Sequence, residues 1–111
     1  MQKQLAQHLK GTSKMNVKTL NGANLLLPAK PGDHVWLIVG LGFYEVRECI
    51  ISQWIYNENG IFCKLKYLDK DTKEPIVELR IDYPIDDFSK YIFLAESDAK
   101  MFCDKYNGLD M

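Results

Sequence analysis

The sequence predicts a mainly β protein: a small barrel or curled antiparallel sheet of about five strands, followed by a C-terminal helix. Three observations support this prediction. Short segments rich in β-branched and aromatic residues alternate with turns that contain Gly, Asn, Asp or Pro. The longest segment, residues 44–56, breaks its alternation near the middle, as a bent strand does. A well-formed apolar stripe at helical spacing lies near the end of the chain.

The chain has 111 residues, enough for one domain with one hydrophobic core. Residues 1–15 are predicted to be an N-terminal extension, either a short helix or disordered, and residues 16–111 a single β-barrel domain with the helix. No apolar run approaches the roughly 18 residues that cross a bilayer, and the first residues lack the apolar stretch of a signal peptide. We therefore expect a cytoplasmic protein that does not enter a membrane.

Two segments open the predicted sheet. Residues 17–27 contain the turn signal Asn21-Gly22, and Pro31-Gly32 marks the turn before the next strand. His34–Val39 (HVWLIV) is rich in β-branched and aromatic residues, which is typical of a strand buried on both faces.

The centre of the predicted sheet is a long hairpin, in which residues 44–56 and 61–68 flank a turn at residues 57–60. In the first strand, even positions indicate one buried face: Tyr44, Val46, Ile50 and Trp54. The break in alternation at residues 49–51 predicts a bulge or sharp bend, which would let a small sheet curl into a barrel.

The remaining predicted strands are shorter. Residues 76–81 alternate, with Val77, Leu79 and Ile81 on the side expected to be buried. Residues 82–90 (DYPIDDFSK) indicate an irregular turn or a short 3₁₀ helix, and residues 91–94 a final strand.

The helix over residues 97–106 is the best-patterned element. Its apolar stripe follows the spacing i, i+3, i+4 and i+7 and comprises Ala99, Phe102, Cys103 and Tyr106. Ser97 or Asp98 is expected to cap its start, and Gly108 lies just past its end. The stripe predicts that the helix packs on the sheet.

Two stretches of the sequence resemble the ends of small proteins from phages and gut Firmicutes. LNGANLLLPAKPGDHVWLIV is similar to their opening, in which a short apolar strand leads through a P-G-D turn to an aromatic strand. DDFSKYIFLAESDAKMF is similar to their close, although Ser89 stands where the pattern has Gly and Ala95 where it has a capping Thr. The resemblance spans residues 17–106. It implies a small SH3-like barrel and an origin in a mobile element. It identifies no active site, because most such proteins have no known function.

The charged residues give little support to nucleic-acid binding by the whole chain. The net charge is −1, and two of the 14 basic residues are Arg, the side chain that most often reads base edges and phosphates. The charge is nevertheless divided, with net +5 in residues 1–30 and net −6 in residues 31–111. A basic N-terminal arm that contacts a phosphate backbone or an acidic partner stays an alternative to a lysine-rich, solvated terminus.

The residue types that metal binding and nucleophilic catalysis need are scattered. Cys49, Cys63 and Cys103 show no Cys-x-x-Cys spacing and have apolar neighbours, so buried free thiols are expected. With His8 and His34 they show no zinc-ligand spacing, and no phosphate loop, nucleophile elbow or dinucleotide fingerprint is present. We expect no metal, no cofactor and no catalytic residue.

Five residues are candidates for contact with a partner. Asp82, Asp86 and Asp87 form the densest acidic group, in a stretch where an Asp-rich turn is the plainer interpretation. Phe43 and Tyr44 follow a glycine-flanked turn, so among the aromatic residues they are predicted to be the most exposed. Surface aromatics hold proline-rich peptides or stack on bases.

The predicted function is that of a non-enzymatic protein-binding module of phage or mobile-element origin, in the cytoplasm of a bacterial host cell. Its partner would be a host or phage protein. An inhibitor of a host defence system, of the anti-CRISPR kind, is one specific form, since an acidic surface suits a positive channel built for nucleic acid. The alternative is a nucleic-acid-binding module that uses the basic N-terminal arm. The sequence leaves the oligomeric state open.

Overall fold

Two antiparallel sheets and one α-helix form the part of the chain that the computed structural model describes, residues 14–18, 22 and 24–108. The elements in chain order are β1 (Met15–Lys18), β2 (Asn24–Leu27), β3 (His34–Val39), β4 (Glu45–Asn57), β5 (Gly60–Leu68), β6 (Pro75–Glu78), β7 (Tyr83–Pro84), a 3₁₀ turn (Ile85–Asp87), β8 (Ile92–Phe93) and α1 (Glu96–Tyr106). The predicted mainly β architecture with a C-terminal helix is confirmed, but the described residues form eight strands where about five were predicted. No helix in this part of the chain is long and apolar enough to cross a membrane.

The larger sheet is an open path of strands, β6-β5-β4-β3-β8, with β7 beside β5. β6 and β7 share one edge of β5, because Lys66 and Leu68 pair with β6 whereas Phe62 and Cys63 pair with β7. Neither β6 nor β7 pairs with β8, so the described strands do not close into a barrel. The prediction of a closed barrel is therefore wrong, and the prediction of an antiparallel sheet is right.

β1 and β2 form a separate antiparallel ribbon. β1 begins at Met15, next to the predicted boundary between the N-terminal extension and the domain. Residues 1–13, most of the predicted extension, lie outside the described residues, so this boundary stays a prediction.

β4 carries the predicted break in register, but both of its faces are covered where one buried face was expected. Its pairing with β5 shifts just after Ile51, next to the predicted position. Before the shift, Cys49 and Ile51 belong to one core, and Val46 packs against the helix on the other face. After the shift Trp54 joins the first core, because an extra residue reverses the facing of a strand. The predicted face of even positions is therefore wrong.

The main core lies on one face of the larger sheet. Eight of the described residues are buried there: Ala29, Val35, Leu37, Cys49, Ile51, Cys63, Leu65 and Ile92. The partly buried Trp54 packs against them, and its indole N–H donates a hydrogen bond to the Ala29 carbonyl oxygen (3.0 Å). This bond ties the segment after β2 to the sheet.

α1 covers part of the opposite face. Ala99 and Cys103 are buried there with Ile38, and Phe102 packs beside them, so docking of the helix is confirmed for these positions. Tyr106, the last residue of the stripe, is 58% exposed. The apolar stripe is therefore no longer buried against the sheet in the last turn of the helix.

The start of α1 was predicted wrongly, whereas its end was predicted correctly. The helix starts one residue earlier than expected, with Ala95 at the N-cap and no side-chain hydrogen bond to cap it, so the predicted cap is wrong. Ser97 and Asp98 lie instead in the first turn, where an acidic side chain interacts favourably with the helix dipole. Gly108 adopts φ +77°, the left-handed conformation that commonly follows a helix, as predicted.

β6 is more exposed than predicted. Val77 and Ile81 are 55% and 61% exposed, and of the alternating set only Leu79 packs against the main core. The strand was predicted over residues 76–81 but ends at Glu78, so Leu79 and Ile81 lie beyond it, and the pairing within β6 is irregular. Pro75 and the irregular pairing also make this edge a poor template for another strand.

Candidate partner-binding surface

Aromatic rings gather where the C-terminal half of α1 meets the sheet. The centroid of the Phe102 ring lies 4.5 Å from that of Tyr106, 5.8 Å from Phe93, 6.0 Å from Tyr44 and 6.4 Å from Tyr91. The contacts with Tyr44 and Tyr91 are edge-to-face, an arrangement that aromatic pairs prefer. Phe102 is thus the centre of a connected cluster.

A cleft of about 430 Å³ opens beside these rings, and we call it the aromatic cleft. It is lined by Tyr44, Ser89, Lys90, Tyr91, Phe102 and Tyr106. Tyr91 and Tyr106 are 52% and 58% exposed, whereas Phe102 beside them is partly buried. Lys90 is the single charged side chain among the described residues that line it.

Asn107, just past α1, fixes the first wall of the cleft. Its Oδ1 accepts a hydrogen bond from the Tyr44 backbone N–H (2.7 Å), and its Nδ2 donates one to the Tyr44 carbonyl oxygen (2.8 Å). The preceding turn needs glycine, since Gly40 has φ +124° and a Cβ there would lie 2.1 Å from the Phe43 carbonyl oxygen. Together the turn and Asn107 hold Tyr44 against Phe102.

The turn at residues 87–91 forms the second wall. The backbone N–H groups of Lys90 and Tyr91 donate to the Asp87 carbonyl oxygen (3.0 and 2.8 Å), and the Ile38 N–H donates to the Tyr91 carbonyl oxygen (2.8 Å). Ser89 adopts φ +71°, a left-handed conformation that glycine adopts without steric cost.

The two predicted aromatic residues have different environments. Phe43 is 58% exposed, as expected, and lies in the turn before the cleft without lining it. Tyr44 was also predicted to be exposed, but it is partly buried because its ring packs on Phe102, and it lines the cleft. The structure therefore places Tyr44 in the candidate surface and Phe43 next to it along the chain.

The three predicted aspartates do not form one acidic face. Asp82 accepts a hydrogen bond from Lys64 Nζ (2.6 Å), and this ion pair raises the pKa of Lys64. The pairing of β7 with β5 brings these two residues together. Asp87 is partly buried, and burial raises the pKa of its carboxyl group, whereas Asp86 in the same 3₁₀ turn is exposed. Asp86 and Asp87 thus lead into the second wall of the cleft, and Asp82 is paired elsewhere.

His34 and the three cysteines take part in contacts that stabilise the fold, and His8, the other histidine named above, lies outside the described residues. Glu48 accepts hydrogen bonds from His34 Nδ1 (2.6 Å) and Lys73 Nζ (2.9 Å). Burial by itself raises the pKa of Glu48, but these partners outweigh it and leave the pKa below its usual value. Cys49 and Cys63 are buried as expected, and burial raises the pKa of both thiols to about 12, so neither supplies a thiolate at neutral pH. Within the described ranges no group of three or more His, Cys, Asp or Glu side chains is placed to hold a metal ion.

Sequence reasoning missed three residues of this surface: Tyr91, Tyr106 and Asn107. Tyr106 was assigned to the buried stripe, yet it lies in the last helical turn, two residues before the glycine that ends the helix. The role of Asn107 could have been predicted, because an Asn side chain beside the end of a helix commonly forms hydrogen bonds with nearby backbone groups. Tyr91 lies just after the turn at Ser89. Its backbone is held by hydrogen bonds, so its side chain can stay exposed.

Comparisons with known proteins supply no relative. No protein-family model, no curated protein and no solved structure matches the chain. The resemblance to small proteins of phages and gut Firmicutes therefore stays a prediction, and function has to be argued from the surface itself.

Proposed function

We propose that this chain is a non-enzymatic protein-binding module and that the aromatic cleft is where its partner binds. The observation that supports this is the pair of half-exposed rings, Tyr91 and Tyr106, both in contact with Phe102. Tyr side chains give an interface large contact area with few rotatable bonds to fix. A partner that covers both rings would bury apolar surface that the fold leaves in water.

The walls of the cleft are fixed by the fold itself. Asn107 bonds to both backbone groups of Tyr44, and the Asp87 carbonyl oxygen holds the turn that carries Tyr91. A surface that is ordered before binding loses less conformational entropy when a partner arrives. This preorganisation supports a role in recognition.

The groups that line the cleft suit binding better than catalysis. They are rings, hydroxyls and one ammonium group. Among the described lining residues there is no carboxylate or imidazole that could serve Ser89 as a general base. These lining residues therefore support a protein that acts by binding a partner rather than by catalysis.

A narrower form of the proposal concerns the partner. The module would come from a phage or another mobile element, work in the cytoplasm of a bacterial host and occupy a host or phage protein, as an anti-CRISPR-like inhibitor does. This form rests on the sequence resemblance and on the net charge of −6 in residues 31–111. Asp86 is the member of the predicted acidic group best placed for a basic partner, because it is exposed in the turn that leads to Tyr91.

The alternative function, binding of single-stranded nucleic acid, has one observation in its favour. Lys90 lines the cleft, and Lys105 Nζ lies 5.7 Å from the centroid of the Tyr106 ring. Exposed rings beside lysines can stack on bases while the lysines contact phosphates. Such binding would weaken steeply as the salt concentration rises.

A displayed library of random peptides tests the proposed site. We expect enriched peptides whose affinity falls at least about tenfold in Tyr91→Ala and in Tyr106→Ala, since an aromatic residue at the centre of an interface contributes on the order of 2 kcal/mol. Tyr56→Ala is the matched control, because Tyr56 is 53% exposed and does not line the cleft.

The binding of labelled single-stranded oligonucleotides to the same proteins is measured at low and high salt concentration. A library without any enriched peptide, or peptides that bind all variants equally, would contradict the proposed site. Oligonucleotide binding that requires Tyr91 and that salt weakens would favour the alternative function.

A further inference from the structure

We infer that the chain has a second binding site, separate from the aromatic cleft, which takes an aliphatic chain that ends in a carboxylate, as in a fatty acid. The site is a gap between the β1–β2 ribbon and the end of the β4–β5 hairpin, and we call it the apolar slot. It lies on the main-core face of the larger sheet, since Trp54 lines it and packs against the main core. The aromatic cleft lies on the helix face, so this inference does not rest on the proposed function.

The ribbon forms one wall of the apolar slot. Its strands pair Met15 with Leu27 and Val17 with Leu25, so these four side chains share one face. All four line the slot, and of them only Leu27 is fully buried. A two-stranded ribbon by itself is marginally stable in water, so the uncovered part of this face is apolar surface that a ligand can bury.

The end of the hairpin forms the opposite wall. Trp54 pairs with Cys63 and Tyr56 pairs with Ile61, which places Trp54, Tyr56 and Ile61 on the face that carries the buried Cys63. The gap between the walls has a volume of about 350 Å³, and no charged residue is among the described residues that line it. The interior of the slot therefore suits an uncharged, apolar chain.

The walls favour an aliphatic chain over a peptide. Both are faces of sheets, so a ligand between them meets side chains rather than backbone N–H and C=O groups. A peptide strand in the slot would bury its own backbone groups without hydrogen-bond partners, which is unfavourable. A helix is roughly 10 Å across with its side chains, about the full distance between two packed sheets. An aliphatic chain is thinner and has no polar groups along its length.

The volume of the slot sets the length of the chain that it holds. A water molecule occupies roughly 30 Å³ in the liquid, and a methylene group is of similar size, so a volume of about 350 Å³ holds about ten methylenes. Each methylene that enters the slot should strengthen binding about threefold to fourfold, because its apolar surface leaves water. Methylenes beyond this length stay in solvent and add little.

Two polar side chains of the slot are suited to hold a carboxylate at its mouth. They are the Gln53 amide and the Tyr56 hydroxyl, both on exposed residues, and both can donate a hydrogen bond. Neither has a hydrogen-bond partner among the residues that the structure describes. The Trp54 indole N–H, in contrast, already donates to the Ala29 carbonyl oxygen.

The charges around the slot are of both signs, with lysines in excess. Lys14 and Lys18 flank the lining residues of β1, and Lys30 precedes the turn before β3. None of these lysines forms an ion pair in the described part of the chain. Two carboxylates oppose them: Asp33, which accepts a hydrogen bond from the Lys30 backbone N–H (2.9 Å), and Glu58 in the hairpin turn. This balance favours an anionic head group by a modest factor.

A series of straight-chain carboxylates from hexanoate to tetradecanoate, kept below their micelle-forming concentrations, tests the slot by calorimetric titration into the full chain. Affinity should rise about threefold to fourfold per methylene and level off at about ten carbons, when the slot is full. Decyltrimethylammonium has a chain of matched length and the opposite charge, and it should bind about threefold more weakly than decanoate.

Two substitutions on one strand locate the site. Leu25→Trp fills the slot and should weaken decanoate binding at least about tenfold, because most of the bound methylenes lose their space. Leu26→Trp is the matched control, since Leu26 is the next residue, is 58% exposed and does not line the slot.

The fluorescence of Trp54 gives a second measurement that leaves the slot intact. The other tryptophan, Trp36, packs on the helix face, so Trp36→Phe makes Trp54 the reporter. Decanoate should shift its emission to shorter wavelength, because the chain displaces water from the indole.

Several results would overturn the inference. Affinity that keeps rising well beyond about ten carbons, or that Leu26→Trp lowers as much as Leu25→Trp, would mean general adsorption to apolar surface. Equal binding of decanoate and decyltrimethylammonium, or Trp54 emission that decanoate leaves unchanged, would also contradict it. A chain that binds no carboxylate but forms a dimer that Leu25→Trp dissociates would show that a second copy covers the slot instead. The aromatic cleft is tested separately by the peptide library, so the two proposals can fail independently.

Discussion

The two faces of the larger sheet are built from different side chains. On the main-core face, all eight buried residues are aliphatic or cysteine and none is more than 2% exposed. On the helix face three residues are buried, Ile38, Ala99 and Cys103, and most of the remaining apolar surface belongs to partly buried rings. These rings are Trp36, Tyr44, Phe93 and Phe102.

The difference follows from what covers each face. The main core is closed by chain segments that wrap over it, such as the one carrying Ala29, which the Trp54 indole holds in place. The helix face has only α1, 11 residues long and hence roughly 16 Å. Large rings extend the apolar surface past the edge of this helix, and the aromatic cleft forms where they reach solvent. If the aromatic cleft binds a partner as proposed, stability and recognition depend on opposite faces of the sheet, and substitutions can separate them.

Leu37→Ala should have the largest effect on stability. Leu37 is 2% exposed in the main core, so its truncation should lower the free energy of unfolding by about 3 kcal/mol through lost burial and the cavity left behind. Urea titration measures the loss. Peptide affinity at the aromatic cleft should be unchanged in the folded variant, because the cleft lies on the opposite face. A loss below about 1 kcal/mol would show that the main core is less tightly closed than its burial indicates.

Phe102→Ala should cost less, although phenylalanine is the larger side chain. Because Phe102 is only partly buried, we expect a loss of about 2 kcal/mol in the same titration. The variant should nevertheless lose peptide affinity, since Phe102 positions Tyr44, Tyr91 and Tyr106. If Phe102→Ala destabilises the fold as much as Leu37→Ala does, the contrast between the two faces is wrong.

Features determined by near neighbours in the chain could be predicted from the sequence. His34–Val39 was predicted to the residue, and the β4–β5 hairpin was predicted around its turn, because composition and turn residues act locally. The meeting of β6 and β7 at one edge of β5 depends on contacts far apart in sequence. No local pattern records such contacts, and barrel closure was therefore predicted wrongly.

The candidate site was predicted in part for the same reason. Tyr44 was found from its turn, but the cleft needs Tyr91, Phe102 and Tyr106 to meet it across the fold. The three predicted aspartates do not form one surface, because Asp82 forms an ion pair with Lys64 on another strand. Spacing along the chain could not show that pairing.

The smallest predicted effect concerns the polar part of the helix face, where Glu48 bonds to His34 and Lys73. The folded pKa of Glu48 lies below the usual value of 4.5. Its ionised form therefore stabilises the fold above that pH, and the stabilisation is lost as the pH falls through the folded pKa. Because the Lys73 side chain is 59% exposed, Glu48→Gln should cost less than about 1 kcal/mol at neutral pH.

Unfolding measured as the pH is lowered from 7 tests the origin of this small contribution, since the advantage of ionised Glu48 is lost as the pH falls through its folded pKa, which lies below the usual value. The difference between the wild type and Glu48→Gln should shrink as the pH falls. Glu58→Gln, in the exposed β4–β5 turn, is the control and should track the wild type throughout. A difference that persists unchanged at the acidic end would mean that Glu48 acts through its shape and hydrogen bonds rather than its charge. The helix face would then be held, like the main core, by contacts that pH does not alter.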